Sequence, residues 1–184
     1  MKKLALALLA GCLTLSALAG TLAGVTMDDQ ISVGSQNLVL NGMGLRSKFF
    51  VKVYVGGLYL PAKQKDAATV LAADESRRMV MHWLHDAGKD AICDGWDEGL
   101  AANTPGASAE LKKDFQTLCG YMQDAVTGDR FVFTYTPGTG TAVEVKGQSK
   151  GTIAGKPFAD ALLACWIGPK PGPGEEFKKN LLGG

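Results

Sequence analysis

A chain of 184 residues, 46% hydrophobic and 20% charged, carries enough apolar material for one globular domain with a core. Its formal charge of +1 comes from 19 basic and 18 acidic side chains; without Lys2 and Lys3 the count falls to 17 against 18. No cationic excess is left for a phosphate backbone, so a nucleic-acid partner is not expected.

The start, "MKKLALALLAGCLTLSALAG", has two lysines, an apolar stretch and then small residues. That is the pattern of an export signal over residues 1–19, with "ALA" at 17–19 as the cleavage site and a mature chain from Gly20. An alternative is a lipoprotein signal, since "LAGC" resembles a lipobox with Cys12 as the acylated residue; the short apolar run before Cys12 and its continuation beyond favour simple cleavage after Ala19. No later segment is long and apolar enough to span a bilayer as a helix. The expected product is one periplasmic domain, residues 20–184.

Two short alternating runs around "GSQ" in "ISVGSQNLVLNG" (31–42) predict a hairpin. A glycine-containing turn, "NGMGLR", then leads to "KFFVKVYVGGLYL" (48–60), which predicts one long strand with a bulge or bend at Gly56–Gly57. Pro61 takes the chain out of the sheet into a short helix, and "RRMVMHWLH" (77–85) alternates as a strand. Helical spacing runs from Lys89 to Asn103 and from Ala107 to about Thr127. "DRFVFTYTPGTGTAVEVKGQSKGTIAG" (129–155) reads as a three-stranded meander, its "PGTG" being turn chemistry and no phosphate loop. "KPFADALLACWIG" (156–168) predicts an amphipathic helix with Pro157 in its first turn, and "EEFKKNLLGG" a last short one. The order implies an α+β layer architecture, an antiparallel sheet with helices gathered on one side.

Export implies an oxidising compartment. Cys93 and Cys119 fall in two helices at nearly equal distances from the "NTPGAS" turn, so they can pair, or stay with Cys165 as small buried hydrophobes. His82 and His85 lie three apart on a strand and face opposite ways, which argues against a shared metal. No metal or cofactor is expected.

The blocks "LNGMGLR", "KVYVGGLYL", "GDRFVFTYTPGTGTAVEVKG", "GTIAGKPFADALLACWIG" and "LLGG" resemble the bacterial chalcone isomerase-like domain over residues 28 to 183. The resemblance implies an open-faced sandwich, a large antiparallel sheet with a layer of helices on one face, and a ligand cleft between helices and sheet. Plant members of that family cyclise chalcones to flavanones, and relatives include fatty-acid-binding and non-catalytic proteins. Carried over residue by residue, it places an arginine at Arg46 and puts Tyr54 where the enzymes have a threonine. With Asn103 as the family asparagine, Trp96 stands for a tyrosine and Gly99 for a lysine, and Cys165 stands for a threonine. An indole cannot copy a phenol with its bound water, and a glycine supplies no cation; each lost polarising donor costs on the order of a hundredfold in rate or more. Efficient chalcone cyclisation is not expected, and only Arg46 and Tyr54 stand as catalytic candidates.

What remains is a binding site. Trp96, Gly99 and Asn103 share one helical face, where Gly99 would leave room for a ligand. The forked guanidinium of Arg46, with Tyr54 or Asn103 adding a neutral hydrogen bond, suits a fatty acid or an aromatic acid. On an unbroken strand Arg46, Lys48, Phe50, Lys52 and Tyr54 share a side, yet Phe49, Val51, Val53 and Val55 form the more apolar one; a bulge near "GLRSK" would change that parity. Blander readings stand beside these. Arg46 is then a strand-end residue or a partner of Asp28 or Asp29, Tyr54 is core, Trp96 fills the cleft, and Asn103 caps its helix. Two other classes of function also stand: an isomerase or lyase in which Arg46 stabilises an oxyanion, and an envelope protein with a protein partner.

Overall fold

The computed structural model describes residues 20–184. The export expectation, with Cys12 and Ala19, lies outside them. A seven-stranded antiparallel sheet runs in simple chain order: β1 (Gln30–Val33), β2 (Gln36–Lys48), β3 (Val51–Leu60), β4 (Arg77–Trp83), β5 (Arg130–Thr136), β6 (Gly140–Val145) and β7 (Gln148–Ile153). Among the described residues five helices accompany it: α1 (Ala67–Ala72), α2 (Lys89–Asn103), α3 (Ala109–Tyr121), α4 (Lys156–Ile167) and α5 (Glu175–Leu181). Every connection within the sheet joins neighbours: tight hairpins link β1 to β2, β2 to β3, β5 to β6 and β6 to β7, whereas the chain passes through α1 between β3 and β4 and through α2 and α3 between β4 and β5.

Alternation sorts the two faces. Leu58 and Leu60 of β3, Met79, Met81 and Trp83 of β4, and Phe131 and Phe133 of β5 pack under the helices with Phe115, Leu118, Leu162 and Trp166. Val55, Tyr59, Val80 and Val132 point the other way. They are covered by a small hairpin that the sequence reading did not separate out, Gly20–Leu22 paired with Val25–Met27. The open face is thus partly closed at one end.

Helix α4 departs from the amphipathic expectation. Nine of its residues from Phe158 to Ile167 are buried, because it touches α1, α2, α3 and α5 as well as β6. A helix enclosed on all sides has no polar stripe. Its first turn is held by Asp160, which pairs with Lys156 at 2.6 Å and with the buried Arg77 of β4 at 2.5 Å. The Arg77 guanidinium also lies over the Tyr135 ring, 5.0 Å from its centre.

The glycines of the long hairpin act differently from expectation. "NGMGLR" is no turn: β2 runs through it to Lys48, the single reversal is at Phe49–Phe50, and β3 starts at Val51. Gly56 and Gly57 carry no bulge, since Gly44↔Gly56 and Met43↔Gly57 pair in continuous register. They serve close approach instead. Phe177 of α5 lies over the Gly44–Gly56 pair, where a Cβ on Gly44 would come within 2.8 Å of its ring, and Gly57 clears Met27 on the opposite face. Helix α3 also ends earlier than expected, at Tyr121.

Cys93 and Cys119 are joined in a disulfide, Cα to Cα 5.4 Å, tying α2 to α3 across 26 residues; Cys165 is free and buried. Closing a loop of that length is worth roughly 3 kcal/mol in the chain-entropy account. Urea midpoints should therefore drop clearly in dithiothreitol, and the C93A/C119A protein should match the reduced one. Identical midpoints with and without reductant would contradict the bridge.

Candidate functional site

The bulge lies one strand over from where the sequence suggested. Arg46 pairs with Tyr54 and Ser47 with Lys52, so Val53 of β3 is the extra residue. Its carbonyl is not orphaned: it accepts from the backbone N–H of Leu84 at 2.9 Å and of His85 at 3.2 Å. The bulge resolves the parity conflict. Before it Val51 and Val53 face the helices, after it Tyr54 and Leu58 do, and Arg46 and Lys48 of β2 share that side.

Arg46, Lys48, Val51, Val53 and Tyr54 line a cleft of about 680 Å³ between the hairpin, the end of β4, α2 and the C-terminal end of α4. Its deep wall is aromatic and apolar: Tyr54, Met81, Trp83, Ile92, Trp96 and Trp166. Three cations, Arg46, Lys48 and Lys170, and two acids, Asp86 and Glu98, line the rest.

Arg46 is half-buried, and its Nη1 donates to the Pro173 carbonyl at 3.2 Å. Among the described residues no carboxylate pairs with it, so the reading with Asp28 or Asp29 as partner does not hold. One of its five N–H donors is engaged. Tyr54 is buried, and its oxygen accepts from the Trp166 indole N–H at 3.2 Å. Its own proton makes no bond among the described residues. Burial pushes this phenol above its ordinary value of 10.0, outweighing the lowering by the Trp166 bond and the Arg46 charge. Arg46 and Tyr54 thus bring a charged fork and a neutral O–H donor to one cleft.

The other expected residues divide. Trp96 lines the cleft without filling it, packed edge-on against Trp166 and Phe133 with ring centres 5.2 and 5.6 Å away. Gly99 and Cys165 line the cleft as well, and the lost side chain at Gly99 has a second consequence. A Cβ there would come within 2.7 Å of the Cys165 sulfur, so the vacated volume lets α2 and α4 approach. Cys165 donates to the Ala161 carbonyl, and burial pushes its thiol up to about 12, which leaves it no nucleophile near neutral pH. Asn103 is not a lining residue. Its Nδ2 donates to the carbonyls of Gly99 at 3.0 Å and Lys170 at 2.9 Å, and its Oδ1 accepts from Lys170 N–H at 2.8 Å. It closes its own helix, and it also pins the segment that carries Lys170, Gly172 and Pro173 along the cleft.

Three features escaped sequence reading. The Val53 bulge leaves no compositional trace. The "PKPGPG" segment (169–174) forms a wall, because its bends and a turn closed by the Gly174 N–H on the Pro171 carbonyl bring the Pro173 carbonyl to Arg46. Trp166 stood next to the singled-out Cys165; a buried indole N–H needs an acceptor, and that was the signal available.

A family model described as chalcone isomerase-like matches residues 19–183. The fold is similar to the crystal structure of a fatty-acid binding protein from Arabidopsis thaliana, with a TM-score of 0.66 and 15% identity over 90% of this chain and 96% of that one. No curated protein sequence matches the chain.

The raised Tyr54 phenol fixes a sign. With its folded value above the unfolded one, its stabilising contribution is complete below about pH 10 and is lost as pH rises beyond that. Tyr54→Phe should lose about 1–3 kcal/mol at neutral pH by orphaning the Trp166 N–H. It should also show a shallower decline than wild type between pH 10 and 11.5 in urea melts. Parallel declines would mean that the phenol is not protected by burial.

Proposed function

The chain belongs to the chalcone isomerase-like family, and we propose that its cleft binds a small amphipathic carboxylate, a fatty acid or an aromatic acid, without cyclising chalcones. The observation that carries this is Arg46: a half-buried guanidinium at an aromatic-lined cleft, held by one backbone carbonyl and paired with no carboxylate among the described residues. A carboxylate would accept from its fork, and the Tyr54 O–H would add a neutral donor. The hydrocarbon part would lie against Met81, Trp83, Ile92 and Trp96. The volume falls within the roughly 300–1,000 Å³ of small-molecule sites. The structural neighbour is named for fatty-acid binding, and the same class of occupant suits this cleft.

A polar catalytic set is not at hand. Position 96 offers an indole and position 99 abuts Cys165, so neither supplies the phenol or the cation that the plant reaction uses. The second reading, an isomerase or lyase, draws support from Tyr54 standing directly across from Arg46 in the strand pair; a protonated phenol beside a guanidinium can deliver a proton to a developing enolate. The leader-like residues 1–19 support a working place in the periplasm, where an oxidising environment would maintain the Cys93–Cys119 bridge.

Protein purified from an exporting host and extracted with organic solvent should release a near-stoichiometric acidic lipid or aromatic acid, read by mass spectrometry, and the Arg46→Ala protein much less. Equal loading of both would remove Arg46 as the anchor. Fast turnover of a 2'-hydroxychalcone would favour the isomerase instead.

A further inference from the structure

The reversal between β2 and β3 places two phenylalanines where a fold has no use for them. Phe49 is 90% exposed and Phe50 104%, and Val51 beside them is 42% exposed. Phe49 also has φ of 54°, a left-handed conformation that favours glycine or asparagine and is costly for a bulky ring. Neither ring contributes to the core, and local turn chemistry argues against an aromatic at position 49. Flanking them are the exposed Lys48 and Lys52 with Arg46 one pair back, and the chain from Gln30 to Lys65 contains no acidic residue.

We propose that this hairpin tip docks the protein on a lipid surface bearing anionic headgroups, with Phe49 and Phe50 entering the interface and Lys48 and Lys52 meeting the phosphates. Two rings at the end of a narrow hairpin form a convex point, which suits the headgroup–acyl boundary and offers no groove to seat a peptide. Lysine stems lie along apolar surface while their ammonium groups stay at the headgroups. Lys48, Phe49 and Val51 also line the cleft, so a seated tip brings the mouth of the cleft to the level at which an amphipathic molecule leaves a bilayer. The docking goes beyond the ligand reading and rests on the tip alone: a cleft that binds nothing leaves it standing.

Co-sedimentation tests it, with protein secreted from an exporting host and vesicles of phosphatidylglycerol and phosphatidylethanolamine, or of phosphatidylcholine alone, at about 0.1 M salt. Wild type should sediment with the anionic vesicles. The F49N/F50S protein, whose asparagine accepts the turn conformation, should melt at the same temperature or higher and partition at least about tenfold more weakly. The K48Q/K52Q protein should lose roughly fivefold per lysine on anionic vesicles and match wild type on neutral ones. All three share one N-terminus, so the differences report on the tip. Failure of wild type to sediment, or equal partitioning of wild type and F49N/F50S, would overturn the proposal. So would tip-dependent capture of a protein in the absence of vesicle binding.

Discussion

Between Lys52 and Tyr54 the third strand carries one residue more than its partner, and the cleft exists because of it. A strand in strict alternation would have to choose a side. It could put Tyr54 toward the helices and Val51 and Val53 toward solvent, or the reverse. The Val53 bulge gives both stretches the same side, and the two hydrogen bonds taken by the Val53 carbonyl from Leu84 and His85 keep the extra residue from being a defect. Beyond the bulge the sheet is core, with Leu58 and Leu60 buried. Before it the same face opens into the cleft, and Arg46, directly opposite Tyr54, stands at the border between the two.

The helical layer closes that border with small residues and one amide. Gly99 lets α2 lie against Cys165 of α4, and the Gly44–Gly56 pair lets Phe177 of α5 lie on the sheet. Close packing in this way leaves little freedom for the aromatic wall, since Tyr54, Trp83, Trp96 and Trp166 hold one another edge-on or by the Trp166–Tyr54 hydrogen bond. Asn103 does the equivalent for the outer rim by holding Lys170. The apolar wall is therefore rigid, while the cations sit on a hairpin end and a proline-rich segment.

Much of this was legible. The hairpin around "GSQ", the meander of β5 to β7 and the bounds of α2 follow from periodicity, turn residues and spacing; spacing allowed Cys93 to pair with Cys119 without requiring it, and the family resemblance pointed to Arg46 and Tyr54. The illegible parts share a physical reason: they depend on what lies across from a residue, not on what lies beside it. "FF" has strong β propensity, and nothing local says that the chain reverses there. Glycines in "NGMGLR" and "VGGL" look like turns or bends, whereas α5 and Met27 are what require them. Gly99 lines the cleft as its place on the helix suggests, but its close approach to Cys165 is set from across the helix interface.

The account rests on charge recognition at Arg46, and a matched pair of ligands isolates it. Delipidated protein would be titrated calorimetrically with dodecanoate and with dodecanol, which share a chain and differ in the charged head. A hydrogen-bonded charge pair of this kind is worth about 1.5–3 kcal/mol, so wild type should bind the acid roughly ten- to a hundredfold more tightly than the alcohol, and Arg46→Ala should bind both alike. Equal affinity of wild type for the two, or a preference that survives the loss of Arg46, would contradict it.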